Sequence, residues 1–222
     1  MVLVNAIYLK APWAVAFQES GTKPRPFRAG GGDAIDVPTM RKEGRFGYAK
    51  RDGYSVVAIP YVSGTLQFLI LLPDKADGLS ALEKTVTHEL LSWESTNADF
   101  TQLALELPKL KMEPPVMALG ETLQSLGMNT AFDKPPGSAN FDRMAPRRAG
   151  DYLFISAVFH KTFLAVDEKG TEAAAATGVV MSVTNVVVGK AIEVKVDRPF
   201  LFAIQHRVSG ACLFLGRVTD PR

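Results

Sequence analysis

Alternating and continuous apolar runs along the chain predict a structure made mostly of β-strands. The pattern predicts strands at residues 2–10, 24–28, 34–42, 45–50, 54–61, 66–72, 103–111, 152–166, 192–196, 200–206 and 212–218. Apolar residues occupy both faces of the strand at 2–10, which is typical of a buried central strand. Three consecutive glycines at 30–32 predict the turn between the second and third strands.

Two helices are predicted between these strands. Ser80 and Glu83 have capping-box spacing, and the helix they would begin carries apolar residues on one face, at Leu82, Val86 and Leu90. A second helix is predicted by apolar residues at helical spacing, after two prolines and before a glycine: Val116, Leu119, Leu123 and Leu126. Strands interrupted by a few helices indicate an α+β fold with mainly antiparallel sheets.

Residues 171–189, TEAAAATGVVMSVTNVVVG, combine features of a strand and of a loop. The segment holds one charge and neither proline nor an aromatic ring, a composition typical of buried β segments. Four consecutive alanines are nevertheless poor strand formers. One face at period two is small and apolar or hydroxylated, with Thr171, Ala173, Ala175, Thr177, Val179 and Met181. We interpret it as a functional loop that could become a strand. An Ala-rich helical turn is the alternative, although the valines from 179 onward disfavour its extension.

The residues around this segment resemble a known family. VDEKGTEAAAAT at 166–177 resembles the hinge of the serpins, and DRPFLFAIQHRVSGACLFLGRVTDP at 197–221 resembles their C-terminal signature. NAIYLK at 5–10 with Trp13, and FHK at 159–161, match further serpin motifs in the same order. The resemblance implies a serpin fold of several mainly antiparallel sheets with flanking helices. We expect one partial serpin domain over residues 1–222, covering the C-terminal three-fifths of the fold and lacking its N-terminal helical part, with the hinge and reactive loop at about 168–191. Because a free terminus within a buried strand is implausible, we expect the chain to be truncated.

The resemblance implies a protease inhibitor and not an enzyme. In serpins a target protease cleaves the reactive loop, which then enters the main sheet as an extra strand and traps the protease. The implied hinge comprises Glu168, Gly170, Thr171, Glu172, Ala173, Ala174, Ala175, Ala176 and Thr177. The family's count from Glu168 places the reactive bond at Thr184–Asn185. A non-inhibitory serpin (a carrier, hormone precursor or chaperone) and an inactive fragment remain alternatives.

Polar residues within apolar strands suggest where the main sheet opens. Asn5 and His160 have apolar neighbours, and a buried polar side chain without a partner costs about 1–3 kcal/mol, so we expect the two to meet. The alternative is two separately solvated side chains. The resemblance places this pair, with Trp13 and Lys109, in the sheet-opening region, and it implies that Lys109 pairs with Glu168. An ordinary core tryptophan and a weak surface ion pair are the corresponding alternatives.

Composition and motifs exclude several other functions. The chain is 47% apolar and 22% charged with a net charge of +2, which gives no indication of a nucleic-acid partner. No apolar run reaches the length of a membrane helix. The three histidines, His88, His160 and His206, stand apart without a metal-binding motif, so we expect no metal or cofactor. Absence of GxSxG argues weakly against a hydrolase. Arg143, Arg147 and Arg148 could bind a polyanion, but a solvated surface is the favoured interpretation.

The loop sequence also limits the expected target. No Lys or Arg lies between Glu172 and Lys190, so a trypsin-like protease is not expected. Val183-Thr184 favours an elastase-like or subtilisin-like serine protease, with a cysteine protease as the alternative. Cys212, the single cysteine, excludes an internal disulfide without settling the compartment, and we expect an extracellular or periplasmic location for the full-length protein. We expect the isolated chain to be non-inhibitory and to self-associate by loop insertion.

Overall fold

The computed structural model describes residues 1–29, 33–148, 150–171 and 190–222. In chain order, the strands in this part are β1 (Val2–Ile7), β2 (Ala11–Pro12), β3 (Lys23–Arg28), β4 (Ala34–Arg51), β5 (Tyr54–Pro60), β6 (Leu66–Pro73), β7 (Asp99–Pro108), β8 (Leu110–Met112), β9 (Met117–Ala118), β10 (Ala157–Thr162), β11 (Leu164–Val166), β12 (Gly170–Thr171), β13 (Ile192–Lys195), β14 (Phe200–His206) and β15 (Cys212–Val218). The α-helices are α1 (Leu79–Glu83), α2 (His88–Thr96) and α3 (Gly120–Ser125), and short 3-10 helices cover Glu19–Gly21 and Thr130–Phe132. Strands therefore dominate, with few helices, as the α+β prediction requires.

The chain divides into two compact units. Residues Met1–Tyr8 and Met112–Leu164 form the first, and Leu9–Lys111 with Ala165–Arg222 form the second. The first unit contains a sheet with the strand order β1-β10-β9. β1 pairs with β10 in parallel, with Val2 opposite Ala157 and Asn5 opposite His160. β9 pairs with the other side of β10 in the antiparallel direction.

The second unit is built on a sheet of eight strands among the residues described. Its order is β13-β7-β4-β5-β6-β14-β15, and β3 pairs separately with β4. One face of β5, β6 and β14 packs against α1 and α2 through a cluster of buried apolar side chains: Ala49, Val56, Ala58, Leu69, Leu71, Leu79, Leu82, Leu91, Leu201 and Ala203. Burial of such side chains is the main stabilising contribution to a core of this kind.

A smaller sheet of four short strands has the order β2-β12-β11-β8. In it β12 lies between two antiparallel neighbours, with Thr171 opposite Ala11 of β2 and opposite Val166 of β11. The backbone of Gly170 and Thr171 is therefore tied to neighbouring strands on both sides. This arrangement holds the last described residue before the segment at 172–189.

The burial predicted for the first strand is wrong for this chain. β1 ends at Ile7 instead of continuing to residue 10, and its residues are exposed up to Ala6. Val2 and Val4 are 56% and 77% exposed. The reason is that β1 has one strand neighbour, β10, among the described residues, and its apolar faces lack the cover that the sequence pattern anticipates.

Both helix predictions also need correction. The first predicted helix is divided into α1 and α2, and Gly78, not Ser80, precedes α1. The break contains the β-branched run at 85–87, which disfavours helix. Thr87 then starts α2, because its Oγ1 accepts a hydrogen bond from the Leu90 amide at 3.1 Å. The second helix is shorter than predicted, because residues 117–118 form β9 and pair with β10 instead of entering the helix.

Other strand boundaries differ where pairing partners extend or interrupt a strand. The strands predicted at 34–42 and 45–50 are one continuous strand, β4, because β7 pairs with it from Thr39 to Tyr48. The strand predicted at 103–111 is divided between β7 and β8, and the strand predicted at 152–166 starts at Ala157 and is interrupted at Phe163. β14 and β15 have the predicted bounds. The predicted glycine turn at 30–32 lies outside the described residues.

Candidate hinge and sheet-opening sites

A tight reversal between β11 and β12 forms the centre of the candidate hinge. The Asp167 amide donates to the Gly170 carbonyl at 2.9 Å. The Asp167 carboxylate accepts from the amides of Lys169 and Gly170 at 2.8 and 3.2 Å. An aspartate that binds amides two and three residues ahead stabilises a turn locally. The hinge therefore begins from a preformed turn.

Position 170 requires glycine for two reasons, its backbone conformation and the lack of room for a side chain. Its φ angle is +150°, a value that residues with a side chain rarely adopt. A Cβ atom at this position would overlap the Ala11 carbonyl oxygen and lie 2.6 Å from Pro12 Cα. Both obstacles are backbone atoms that cannot rotate away. The close approach of β12 to β2 consequently depends on glycine at position 170.

The segment that follows β2 binds the hinge through its backbone. The Trp13 amide donates to the Lys169 carbonyl at 2.9 Å, and the Phe17 amide donates to the Glu168 carbonyl at 2.8 Å. The Trp13 indole Nε1 donates to the Asp167 carbonyl, also at 2.9 Å. Trp13 itself is only 2% exposed. Trp13 therefore contacts the hinge directly, and its predicted place in the sheet-opening region stays a prediction.

Glu168 is a buried carboxylate with two side-chain donors. It is 6% exposed. Lys109 Nζ lies 2.8 Å from Oε2, and Thr22 Oγ1 donates to Oε1 at 2.6 Å. Burial is the largest influence on the Glu168 pKa and would raise it, but the hydrogen bonds and the Lys109 charge together outweigh burial and lower that pKa. The expected Lys109–Glu168 pair is present, and its carboxylate is buried, unlike that of a surface pair.

Thr171 carries a further buried hydrogen bond. Its side chain is fully buried, and its Oγ1 lies 2.6 Å from the hydroxyl oxygen of Tyr61. The Tyr61 ring stacks on Trp13 with the centroids 4.7 Å apart. Burial raises the pKa of Tyr61, although the Thr171 bond opposes this shift, so the phenol remains protonated at neutral pH. The two hydroxyls therefore form a neutral, water-excluded contact.

The predicted meeting of Asn5 and His160 is confirmed in the first unit. These residues are directly opposite in the β1–β10 register, and His160 Nδ1 lies 3.0 Å from Asn5 Oδ1. Asn5 is exposed and His160 is partly exposed, so the burial on which the prediction rested is wrong in this chain. The contact arises because the parallel register places both side chains on one face.

Comparison with known proteins gives the family of this chain. The family model described as Serpin (serine protease inhibitor) matches residues 1–221. The chain belongs to the serpin family. Serpin B10 of Bos taurus is 39% identical over the whole chain, which covers 55% of that protein. Leukocyte elastase inhibitor A of Mus musculus is 38% identical, again over the whole chain and 58% of the relative.

Solved structures agree on the serpin fold. The crystal structure of the thermophilic serpin Tengpin in the native state has a TM-score of 0.83 and 31% identity. The similarity covers 99% of this chain and 55% of that one. This serpin chain therefore spans about half the length of the relatives that it matches, and the prediction of a partial serpin fold is confirmed.

Two residues of the hinge contacts were not identified from the serpin sequence. Thr22 lies in a polar stretch after a short 3-10 helix, and nothing in its surroundings marks it as a partner of Glu168. Tyr61 follows the end of β5, where a large polar-tipped aromatic next to a turn could have suggested a buried hydroxyl in need of a partner. The local sequence specifies the partner of neither residue, because each partner lies more than 100 residues away.

Several predicted residues lie outside the described part of the serpin chain. They are the hinge residues Glu172, Ala173, Ala174, Ala175, Ala176 and Thr177, and the reactive-bond residues Thr184 and Asn185. Their roles stay predictions.

Two other candidate functional residues of this serpin, Arg147 and His206, form contacts within the fold. Arg147 stacks over Tyr152 at 4.5 Å and donates to the Gly137 carbonyl at 3.2 Å, so it is occupied within its own loop. His206 Nδ1 lies 2.8 Å from Ser209 Oγ. Among the described residues, no group of three His, Cys, Asp or Glu side chains is placed to hold a metal ion. Of the helices in this part of the chain, none has the length and apolar character needed to cross a membrane.

Proposed function

We propose that the full-length protein inhibits a serine protease as a suicide substrate. The observation that carries this proposal is the described start of the hinge, in which Gly170 permits the reversal and Thr171 is buried between β2 and β11. From Ala173 to Asn185 the sequence contains no charge and no proline, the two features that most oppose entry into a sheet. Membership of the serpin family supports the same activity.

The proposed reaction begins at the Thr184–Asn185 bond. The protease serine oxygen attacks the Thr184 carbonyl carbon, the bond to nitrogen breaks, and the new Asn185 amine leaves with a proton from the protease. Thr184 is then held as an ester to the protease. The freed segment enters between β1 and β10, which are paired directly in this structure, and it moves the attached protease before water cleaves the ester.

Strand insertion is energetically sufficient for such a mechanism. Thirteen steps from Thr171 to Thr184 span about 43 Å in extended conformation. A similar number of new backbone hydrogen bonds, at about 1 kcal/mol each, contributes on the order of 10–15 kcal/mol. This matches the total stability of a typical domain, about 5–15 kcal/mol. Insertion can therefore be strongly favourable from a metastable starting state.

The loop sequence supports an elastase-like or subtilisin-like target. Such enzymes accept small or apolar residues, whereas trypsin-like enzymes need a cation for their specificity pocket. Val183 and Thr184 suit an elastase-like or subtilisin-like enzyme. The absence of Lys and Arg from 173 to 189 disfavours a trypsin-like enzyme. One relative is named a leukocyte elastase inhibitor, which supports the same choice. A cysteine protease is the second candidate target.

Incubation with a protease panel tests this function directly. We expect an SDS-resistant complex with an elastase-like or subtilisin-like enzyme and release of a fragment that begins at Asn185. Thr184→Arg should transfer complex formation to trypsin and weaken it with elastase. Cleavage without any complex would contradict inhibition and favour a carrier or chaperone. Cleavage confined to Met181–Ser182 or Val183–Thr184 would show that the assigned bond is wrong. The extracellular or periplasmic location stays a prediction that cell fractionation can check.

A further inference from the structure

We propose that Lys42 is a positioning residue of the hinge. It holds residues 13–17 in the conformation in which this segment binds the backbone of residues 167–169. Lys42 Nζ donates to the Val15 and Ala16 carbonyls, both at 2.8 Å. This inference rests on the proposed inhibitory function, because it assigns Lys42 to the strand-insertion step.

The segment at 13–17 is buried only at its two ends. Trp13 and Phe17 are 2% and 4% exposed, and their amides are the donors to the hinge carbonyls. The three residues between them are exposed and belong to no strand. A lysine ammonium has three donors, so it can bind two carbonyls at once. Lys42 therefore fixes the bend that joins the two buried ends.

The Lys42 side chain reaches this segment from the core face of β4. Residue 42 lies opposite Leu105 of β7 and two residues from Met40, and both of these side chains are fully buried. Because side chains alternate along a strand, Lys42 shares the face of Met40. Its aliphatic stem covers apolar surface, and its ammonium lies at the edge of that surface.

The ammonium of Lys42 has no charged partner in the described part of the chain. Its polar contacts there are the two carbonyls, and the centroid of the Phe17 ring lies 6.0 Å from Nζ. Burial lowers the pKa of Lys42 to about 8. A partly buried cation without a counter-charge is costly, so the carbonyl dipoles and the ring compensate the charge at this position.

Removal of the amine should affect the hinge more than overall stability. Lys42→Met keeps an unbranched apolar stem but removes both hydrogen bonds, together with the cost of desolvating a cation. These two changes have opposite signs in the free energy of unfolding. The lost hydrogen bonds, however, act on residues 13–17 alone. We therefore expect the melting temperature to stay close to that of the wild type while this segment loosens.

A loosened segment should disturb insertion without disturbing cleavage. β12 already lies between β2 and β11, so it is the fixed end from which the residues after Thr171 would extend as an inserted strand. Residues 13–17 follow β2 and bind residues 167–169, directly before β12. Loss of this contact leaves the fixed end less well defined, which slows insertion relative to hydrolysis of the ester. The Thr184–Asn185 bond lies beyond the contact, so its cleavage should keep the wild-type rate.

The experiment uses the full-length protein and two kinds of readout. Hydrogen exchange of the peptides that cover residues 11–18 and 165–171 requires no protease. Incubation with elastase then measures the rate of loop cleavage and the share of inhibitor that is cleaved without forming a complex. We expect Lys42→Met to accelerate exchange in both peptides about fivefold, as for the loss of one net hydrogen bond, and to increase the share cleaved without a complex. Lys42→Arg, which keeps the charge and the donors, should stay within about twofold of the wild type.

Lys50 provides a matched control on the same strand. Its Nζ also donates to two backbone carbonyls, those of Arg51 and Tyr54, at 3.1 and 3.2 Å, and it pairs with Asp74. Lys50→Met should leave exchange in both hinge peptides unchanged. Unchanged exchange in Lys42→Met, or equal acceleration in Lys50→Met or Lys42→Arg, overturns the positioning role.

The protease readout separates this role from the proposed function. Faster exchange in Lys42→Met with an unchanged share of cleaved inhibitor overturns the assignment of Lys42 to insertion. A wild-type protein that is cleaved but traps no protease overturns the proposed function instead. In that case, faster exchange in Lys42→Met still supports Lys42 as the residue that positions the hinge.

Discussion

The hinge contacts and the β1–β10 pair contain hydrogen bonds of similar length in very different surroundings. Glu168 and Thr171 bind their partners in buried positions, at 2.6–2.8 Å. Asn5 and His160 are 3.0 Å apart on an exposed face. Solvent competes for the Asn5–His160 contact more than for the hinge bonds, and a buried polar atom that loses its partner is costly. Burial, more than hydrogen-bond length, should therefore decide how much each contact contributes to the free energy of unfolding.

The apolar residues of the two regions also differ in burial. In the hinge region Trp13 and Tyr61 are almost completely buried, whereas Val2 and Val4 of β1 are largely exposed. Exposed apolar side chains on an edge strand favour association with other chains. Hence the hinge contacts should stabilise the fold, while β1 in this chain should cause self-association. Four experiments test this contrast, in order of decreasing effect.

The largest expected effect is association of the isolated chain of residues 1–222. We expect oligomers and no covalent protease complex, because β1 has an unpaired edge among the described residues and the segment at 172–189 is a potential strand donor. Val4→Lys should shift the chain toward monomer, since it places a charge on the edge strand. Light scattering after size exclusion measures this change. A monodisperse wild-type chain that traps protease would contradict the prediction.

Gly170→Val should disrupt the hinge severely. The side chain would overlap the backbone of β2, and φ at this position is unfavourable for valine. We expect a loss of about 3–5 kcal/mol in the free energy of unfolding, or release of β12 from β2. Denaturant titration and hydrogen exchange measure both. Gly53→Ala is the control: its φ is +81° but its Cβ meets nothing within 4 Å, so it should cost about 1 kcal/mol. Similar losses in both variants would refute the close-approach argument.

Glu168→Gln should have an intermediate, pH-dependent effect. The folded-state pKa of Glu168 is lowered from its ordinary value of 4.5. Its stabilisation is thus fully present above pH 4.5 and is lost as the pH falls through the lower folded value. We expect the substitution to lower the free energy of unfolding by about 1–2 kcal/mol at pH 7. This difference should become smaller as the pH falls.

Thermal unfolding of this variant between pH 3 and pH 7 checks the sign. Glu113→Gln is the control, because Glu113 and Lys161 form an ion pair at 3.0 Å in which both side chains are about half exposed. Such pairs contribute about 0–1 kcal/mol. A Glu168→Gln loss that is constant with pH would indicate that the hydrogen bonds matter and the charge does not.

Asn5→Ala should have the smallest effect in this chain. Exposed substitutions away from special features usually change stability by less than about 0.5 kcal/mol, and Asn5 is exposed. Denaturant titration measures the difference, and Thr101→Ala at a partly exposed position of β7 offers a reference. A loss above about 1 kcal/mol would mean that the pair is shielded from water, and the contrast with the hinge would fail.

Local pattern and motif determined the main features of the fold and the place of the hinge. The bounds of β14 and β15 follow from their apolar runs, and the VDEKG motif marks Glu168 and Gly170. The pairing of Asn5 with His160 was also foreseeable, since both are polar residues within apolar strands. For the strands and the hinge, the signal lies within a few residues of the feature that it predicts.

Tertiary structure alone decided which residues secure the hinge and which strands are covered. Tyr61 reaches Thr171 across 110 positions of sequence, through the pairing of β2 with β12 and the stacking on Trp13. The exposure of β1 is equally non-local, because an apolar pattern states which residues should be buried but not whether another segment covers them. Sequence periodicity records the preference of each residue, whereas burial and partner choice depend on the register between distant strands.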